Sequence, residues 1–166
     1  AFVTETGFES ANLGLQVYGG HGFIREWGME QNMRDARIST LYEGTTGIQS
    51  LDLLGRKILG NGGKTFGRFT ALIKDDISTI DEEFSASLVE KVTEWEGLTA
   101  ELGARVQGNL DEVGAASVDY LMYAGYCVHA WLWARMGTIA KQQASAGDDA
   151  FYHVKYATAQ FYFKRV

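Results

Sequence analysis

Glu43 stands just before Gly44, at a break between two helical patterns, among the apolar side chains Leu41, Tyr42 and Ile48. A carboxylate in such surroundings is poorly solvated, which raises its pKa and makes it a better base near neutrality. Gly44 removes a side chain beside it, admitting a flat ligand or an unusual backbone angle. The helix that follows offers unpaired N–H groups and a positive dipole end to anionic or oxygen-rich ligand parts. Proton abstraction from a bound ligand is the chemistry this grouping suits. A surface carboxylate before a turn, with Gly44 as a plain helix stop, is the alternative that spacing leaves open.

Other reactive residues point to less. His21, His129, His153 and Cys127 offer only a Cys-x-His pair on an apolar helix, so no metal site is expected. His21, in GGHGF, belongs either to a ligand mouth or to a loop held by structural hydrogen bonds. Arg34, Asp35 and Arg37 read as a solvated or interfacial ion-pair face, each pair weak.

The elements that must position Glu43 follow from apolar spacing. Residues 2–18 read as a helix with Phe8, Ala11, Leu15 and Tyr18 on one face, ended by Gly19-Gly20. Residues 21–28 read as a loop and 29–41 as a short helix. Thr46 with Gln49 has the capping-box pattern, so the next helix is predicted from there to Gly60, with Arg56 and Lys57 in its last turn. The run GNGGKTFG at 60–67 is the best internal boundary. Beyond it the pattern predicts a weaker helix over 64–78 and long helices over 79–106, 110–143 and 149–166. Thr79/Glu82 and Asn109/Glu112 are the expected cap pairs of the first two long helices. The aromatics Phe151, Tyr152, Tyr156, Phe161, Tyr162 and Phe163 fall on nearly all sides of the last helix, which suits core packing plus contact with another domain. The expected fold class is all-α, a helical bundle with short loops between antiparallel neighbours. Its parts are a first unit over 1–60, a glycine-rich linker over 61–67 and a further helical domain over 68–166.

Composition sets limits on this reading. The chain has 166 residues, no proline and 20 glycines, so glycine supplies the helix stops that proline would otherwise impose. Fifteen basic against 21 acidic side chains give a net charge of −6 with no basic tract, and nucleic acid is not an expected partner. The 15 residues from Tyr120 to Ala134 carry no formal charge. That run is short of the ~20 apolar residues a spanning helix needs, so a buried central helix is expected and no membrane span. A single cysteine, Cys127, rules out an internal disulfide and fits a reducing, cytoplasmic compartment. Ala1 opens the sequence without an initiator Met or a signal pattern, so the chain is expected to start inside a longer protein.

Several linked motifs between residues 12 and 59 carry a resemblance. QVYGGHGF, followed by MRDARISTLYEGTTGIQ, resembles the C-terminal helical domain of the acyl-CoA dehydrogenases. That family has a Q-x-x-G-G turn, an M-R-D stretch and then Y-E-G-T-x-x-I-Q, in this order and at this spacing. The resemblance implies Glu43 as catalytic base and FAD as cofactor. It implies Gln16, Gly19 and Gly20 at the adenosine-diphosphate part of FAD, typically that of a neighbouring subunit. Thr45, Thr46 and Gly47 are implied at the flavin nucleotide, and Tyr42 and Gly44 at the substrate. In such a reaction the α-proton of an acyl-CoA leaves to the base as the β-hydrogen passes as hydride to flavin N5. Enolate charge on the thioester oxygen then needs donors, implied to be the Glu43 N–H and a flavin ribityl hydroxyl. Donors of that kind are worth ~3–4 kcal/mol each.

Some relatives carry glutamine at the position of Gly47, a contact missing here, and Arg56-Lys57 does not match cleanly a substrate-site arginine. The length beyond residue 60 is similar to the enlarged bacterial subgroup that includes 3-methylmercaptopropionyl-CoA dehydrogenases. The implied partners are an acyl-CoA, electron-transfer flavoprotein or a similar acceptor, and further copies of the chain. An acyl-CoA oxidase, or a non-catalytic assembly or docking role for residues 68–166, are the alternative readings.

Overall fold

The computed structural model describes residues 1–42, 44–147 and 149–166, and every regular element among them is helical. Helix α1 (Phe2–Val17) is followed by the short α2 (Gly20–Phe23), a 3-10 turn at Arg25–Trp27 and α3 (Met29–Ile38). Helix α4 (Thr46–Leu51) runs on as a π-helix over Asp52–Ile58 and a 3-10 turn at Leu59–Asn61. Then come α5 (Lys64–Asp76), α6 (Glu82–Gly108), α7 (Asp111–Ala146) and α8 (Ala150–Arg165). The all-α expectation holds. Residues 21–28, expected as loop, are mostly two short helical turns instead.

Helix α7 is the spine. Its 36 residues extend about 54 Å at 1.5 Å each, long enough to pack against α1, α4, α6 and α8 in turn. On α6 the buried residues Phe84, Leu88, Val92, Trp95 and Thr99 recur every three or four positions, one continuous stripe. On α7 the stripe is Tyr120, Ala124, Cys127, Ala130 and Ala134, so the uncharged run is a core segment as its length implied. Burying a side chain such as Phe84 or Leu88, both at 0% exposure, favours the fold by about 1.5–3 kcal/mol. Of the α8 aromatics, Tyr156, Tyr162 and Phe163 pack on this core, while Phe151 and Phe161 point outward.

Leu54 and Ile58 of the π-helix lie in the same cluster as Phe66 and Ile73 of α5, so the core runs through the glycine-rich segment. Helix α5 starts inside that segment, at Lys64. Phe2 anchors the other end of the chain. Its ring packs edge-on to Tyr126 (5.0 Å) and His129 (4.9 Å), on the space a side chain at Gly125 would fill. A Cβ there would sit 2.2 Å from the ring.

The helix starts differ from the capping pattern at two places. Thr79 lies in a 3-10 turn and bonds the Asp76 carbonyl, and α6 is capped by Asp81, which accepts from the Glu83 N–H at 3.1 Å. Thr46 forms no capping box: the cap position is Thr45, and the Thr46 hydroxyl donates to the Glu5 carboxylate. Asn109 does serve the start of α7, its Oδ1 accepting from the Asp111 N–H at 3.1 Å. The last helix is capped by Asp149, which accepts from the Phe151 N–H at 2.9 Å. Among the described residues no helix is long and apolar enough to cross a membrane.

Candidate active site

Glu43, the expected base, lies outside the described residues, so the site is built from what holds the chain on either side of it. Three residues before it, Thr40 is only 5% exposed. Its hydroxyl donates to the Arg37 carbonyl at 3.0 Å and accepts from the Arg37 guanidinium, which also lies 5.4 Å over the Phe8 ring of α1. Three residues after it, the Thr46 hydroxyl is bound to Glu5 of the same helix. Glu5 and Phe8 are one helical turn apart, so one face of α1 secures both sides of the break.

The backbone between these anchors is unusual. Gly44 has φ +91°, which the absence of a Cβ permits. Thr45 follows with φ +28° and ψ 165°, the one non-glycine residue with positive φ among those described. Such a conformation costs on the order of 1–3 kcal/mol and persists only where neighbouring contacts enforce it. Of the two expectations for Gly44, ligand approach and an unusual backbone angle, the second is seen.

These residues enclose a polar hollow of about 160 Å³ lined by Thr4, Ser39, Thr40, Tyr42, Thr45 and Thr46, with Ala1 and Gln49. Its wall is mainly hydroxyls, of which Thr4, Ser39, Thr40 and Thr46 already donate their proton, to the Ala1, Ala36 and Arg37 carbonyls and to Glu5. Tyr42, Thr45 and Thr46 are thus brought together, with Gly44 and Gly47 adjacent in the chain. Gln16, Gly19 and Gly20 are not: they sit exposed at the opposite end of α1, roughly 22 Å along its axis from Ala1. There Gly19 has φ +59°, and a Cβ at either glycine would meet nothing within 4 Å. A larger apolar groove, about 450 Å³, is lined by Phe66, Phe69, Trp95 and Val128, with Lys57 and His129 among its few polar residues.

The remaining candidates make local contacts. The His21 ring packs edge-on against Trp27 at 5.2 Å, and Asp35 accepts from the Gln31 side chain at 2.7 Å. Arg37 is solvent-exposed, and its guanidinium donates to the Thr40 hydroxyl. Arg56 and Lys57 both engage Asp52, whose carboxyl is held down at about 2, first by the Arg56 hydrogen bond and then by that from Lys57. Among the described residues no group of three His, Cys, Asp or Glu side chains is placed to hold a metal ion. Sequence reasoning missed Glu5, Thr4 and Thr40. The only signal for Glu5 was its place one turn before Phe8, because its partner is 41 residues away.

Comparison with known proteins decides the family. Residues 66–166 match the family model described as acetyl-CoA dehydrogenase C-terminal like, and residues 1–59 match the acyl-CoA dehydrogenase C-terminal domain. The chain belongs to the acyl-CoA dehydrogenase family. It is 37% identical, over 99% of its length, to the 3-methylmercaptopropionyl-CoA dehydrogenase of Ruegeria pomeroyi. It is 31% identical, over 97% of its length, to the broad-specificity linear acyl-CoA dehydrogenase FadE5 of Mycobacterium tuberculosis. A butyryl-CoA dehydrogenase of Syntrophomonas wolfei is 28% identical over the whole chain. The chain spans 29% of the length of each of these three relatives. Both matched stretches contribute to one apolar core, through Leu54 and Ile58 on one side and Phe66 and Ile73 on the other.

Proposed function

We propose that the chain forms part of an FAD-dependent acyl-CoA dehydrogenase in which Glu43 takes the α-proton of an acyl-CoA thioester. The observation that carries this is the hydroxyl-lined hollow at the Tyr42–Thr46 segment, with an anchored threonine on each side of Glu43. A base works when its distance to the proton is fixed, and Thr40 and Thr46 anchor the chain on either side of Glu43.

The residues present fit a flavin nucleotide. The Thr45 hydroxyl and the backbone N–H groups of Thr46 and Gly47 supply donors at one surface. Gln16 with the open backbone of Gly19 and Gly20 supplies a second, where no Cβ obstructs a close approach. When bound, FAD would accept the β-hydrogen as hydride. The chain's own part is to hold Glu43 beside the thioester, with Tyr42 and Gly44 against the substrate, and to offer the Glu43 N–H to the thioester oxygen.

The separation of the two surfaces along α1 supports the reading that they face different cofactor molecules in a homo-oligomer. Leu13, Val17, Phe23 and Trp27, all at least half exposed, are the apolar area on which other parts of such an assembly would pack. Residues 68–166 are read as a helical domain that buttresses α4 through α7 and its π-helical continuation through α5, after a boundary at 61–67. Electron-transfer flavoprotein or a similar acceptor would reoxidise the enzyme, in a cytoplasmic setting. The test is anaerobic flavin bleaching of the full-length protein with a panel of acyl-CoA thioesters. Bleaching by at least one is expected; none by any would contradict the proposal. Rapid reoxidation by oxygen would instead favour an acyl-CoA oxidase.

A further inference from the structure

We propose that Glu5 is a positioning residue for this reaction, its carboxylate holding Thr46 and thereby the segment that carries Glu43. The proposal rests on the reading of Glu43 as base and extends it to a residue in another helix.

Three observations converge on Glu5. The Thr46 hydroxyl donates to its carboxylate across 41 residues of sequence, at the first residue of α4, whose cap residue Thr45 makes no side-chain cap bond. The residue just before Thr46 is Thr45, whose positive φ needs an external contact to enforce it, and the Thr46–Glu5 bond is the long-range contact next to it. Finally, Phe8, one turn along the same face of α1, supports Arg37 and through it Thr40 on the other side of Glu43. With Thr40 fixed independently, Glu5 supplies the second anchor. Removing it cuts the tie of Thr46 to α1, leaving that side of the segment held only by the packing of α4 on α7. Thr46 then loses its contact with α1, and the backbone at Thr45 can relax to a common conformation. The fold would survive this, since α1 is joined to α7 by Phe2 and also packs against α3.

Glu5 accepts a hydrogen bond and transfers no proton, so an amide with the same acceptor oxygen should replace it. In the full-length flavoenzyme, Glu5→Ala is expected to lower the limiting rate of flavin reduction by about tenfold or more, with KM within about twofold and FAD content unchanged. Glu5→Gln should stay within about threefold of the parent. Equal losses in the two variants, a wild-type limiting rate in Glu5→Ala, or loss of FAD by Glu5→Ala would each overturn the proposal. If Glu5→Ala does not fold, Thr46→Val removes the same bond from its donor side, and a wild-type limiting rate in that variant overturns it equally. Glu43→Gln is measured alongside. If it still reduces flavin normally, the reading of the base fails; if it is inactive while Glu5→Ala is normal, only the positioning role fails.

Discussion

Ser50 on α4 and Ser117 on α7, both buried, join their hydroxyls at 3.1 Å and so tie the helix beside the candidate site to the spine of the fold. Each has a second, local acceptor: Ser50 bonds the Gly47 carbonyl at 2.8 Å and Ser117 the Gly114 carbonyl at 3.3 Å. Removing one hydroxyl therefore leaves the other satisfied. Ser117→Ala is expected to cost about 0.5–1.5 kcal/mol by denaturant unfolding. A loss above about 3 kcal/mol would mean that the hydroxyl is satisfying a buried group other than Ser50.

Acid should weaken the junction of α6, α7 and α8. Asp81 titrates below the ordinary carboxylate range because Lys141 bonds it at 2.7 Å, with the Glu83 N–H adding to this. Glu83 is lowered first by the Tyr156 hydroxyl, then by Gln160 and Lys141. A carboxylate with a folded pKa below its unfolded value contributes fully above the unfolded value, and that contribution is lost as pH falls through the folded one. The thermal midpoint is expected to be flat between roughly pH 5 and 7 and to fall below about pH 4. Lys141→Met should make that fall shallower, since both carboxylates then titrate nearer their unfolded values. An unchanged acid limb in the variant would show that the junction does not depend on Lys141.

Cys127 should be inert while the protein is folded. Its thiol is 3% exposed, and burial pushes its pKa up to about 11, so little thiolate forms near neutrality. Thiol reagents at mildly alkaline pH are expected to label it in denaturant and hardly at all in buffer. Fast stoichiometric labelling of the native protein would contradict the packing of α7.

What the sequence made legible was what depends on neighbours along the chain. The steps of three and four among Phe84, Leu88, Val92 and Trp95 announced α6 and its buried face, and the uncharged run from Tyr120 to Ala134 announced the core of α7. Contacts between distant segments stayed hidden. Thr46 and Gln49 have capping-box spacing, yet Glu5, far upstream, takes the Thr46 hydroxyl. Thr79 fits a box as well, but Asp81 caps α6 because Lys141 and the Glu83 N–H both meet its carboxylate. The π-helix at Asp52–Ile58 left no mark in the apolar pattern, because Leu54 and Ile58 reach the core with a spacing that an ordinary α-helix shares. At the candidate site, Gly44 and the Tyr42–Thr46 cluster were readable from the motif. Thr40, Thr4 and Glu5 were not, since their role exists only once α1 lies against the break.

The most direct measurement is anaerobic stopped-flow reduction of the full-length enzyme's flavin by an acyl-CoA substrate, comparing the parent with Glu43→Gln. The substitution keeps size and shape and removes the base, so FAD should stay bound while the reduction rate falls about a thousandfold or more. Reduction at the parental rate would contradict the assignment of Glu43 as the proton acceptor.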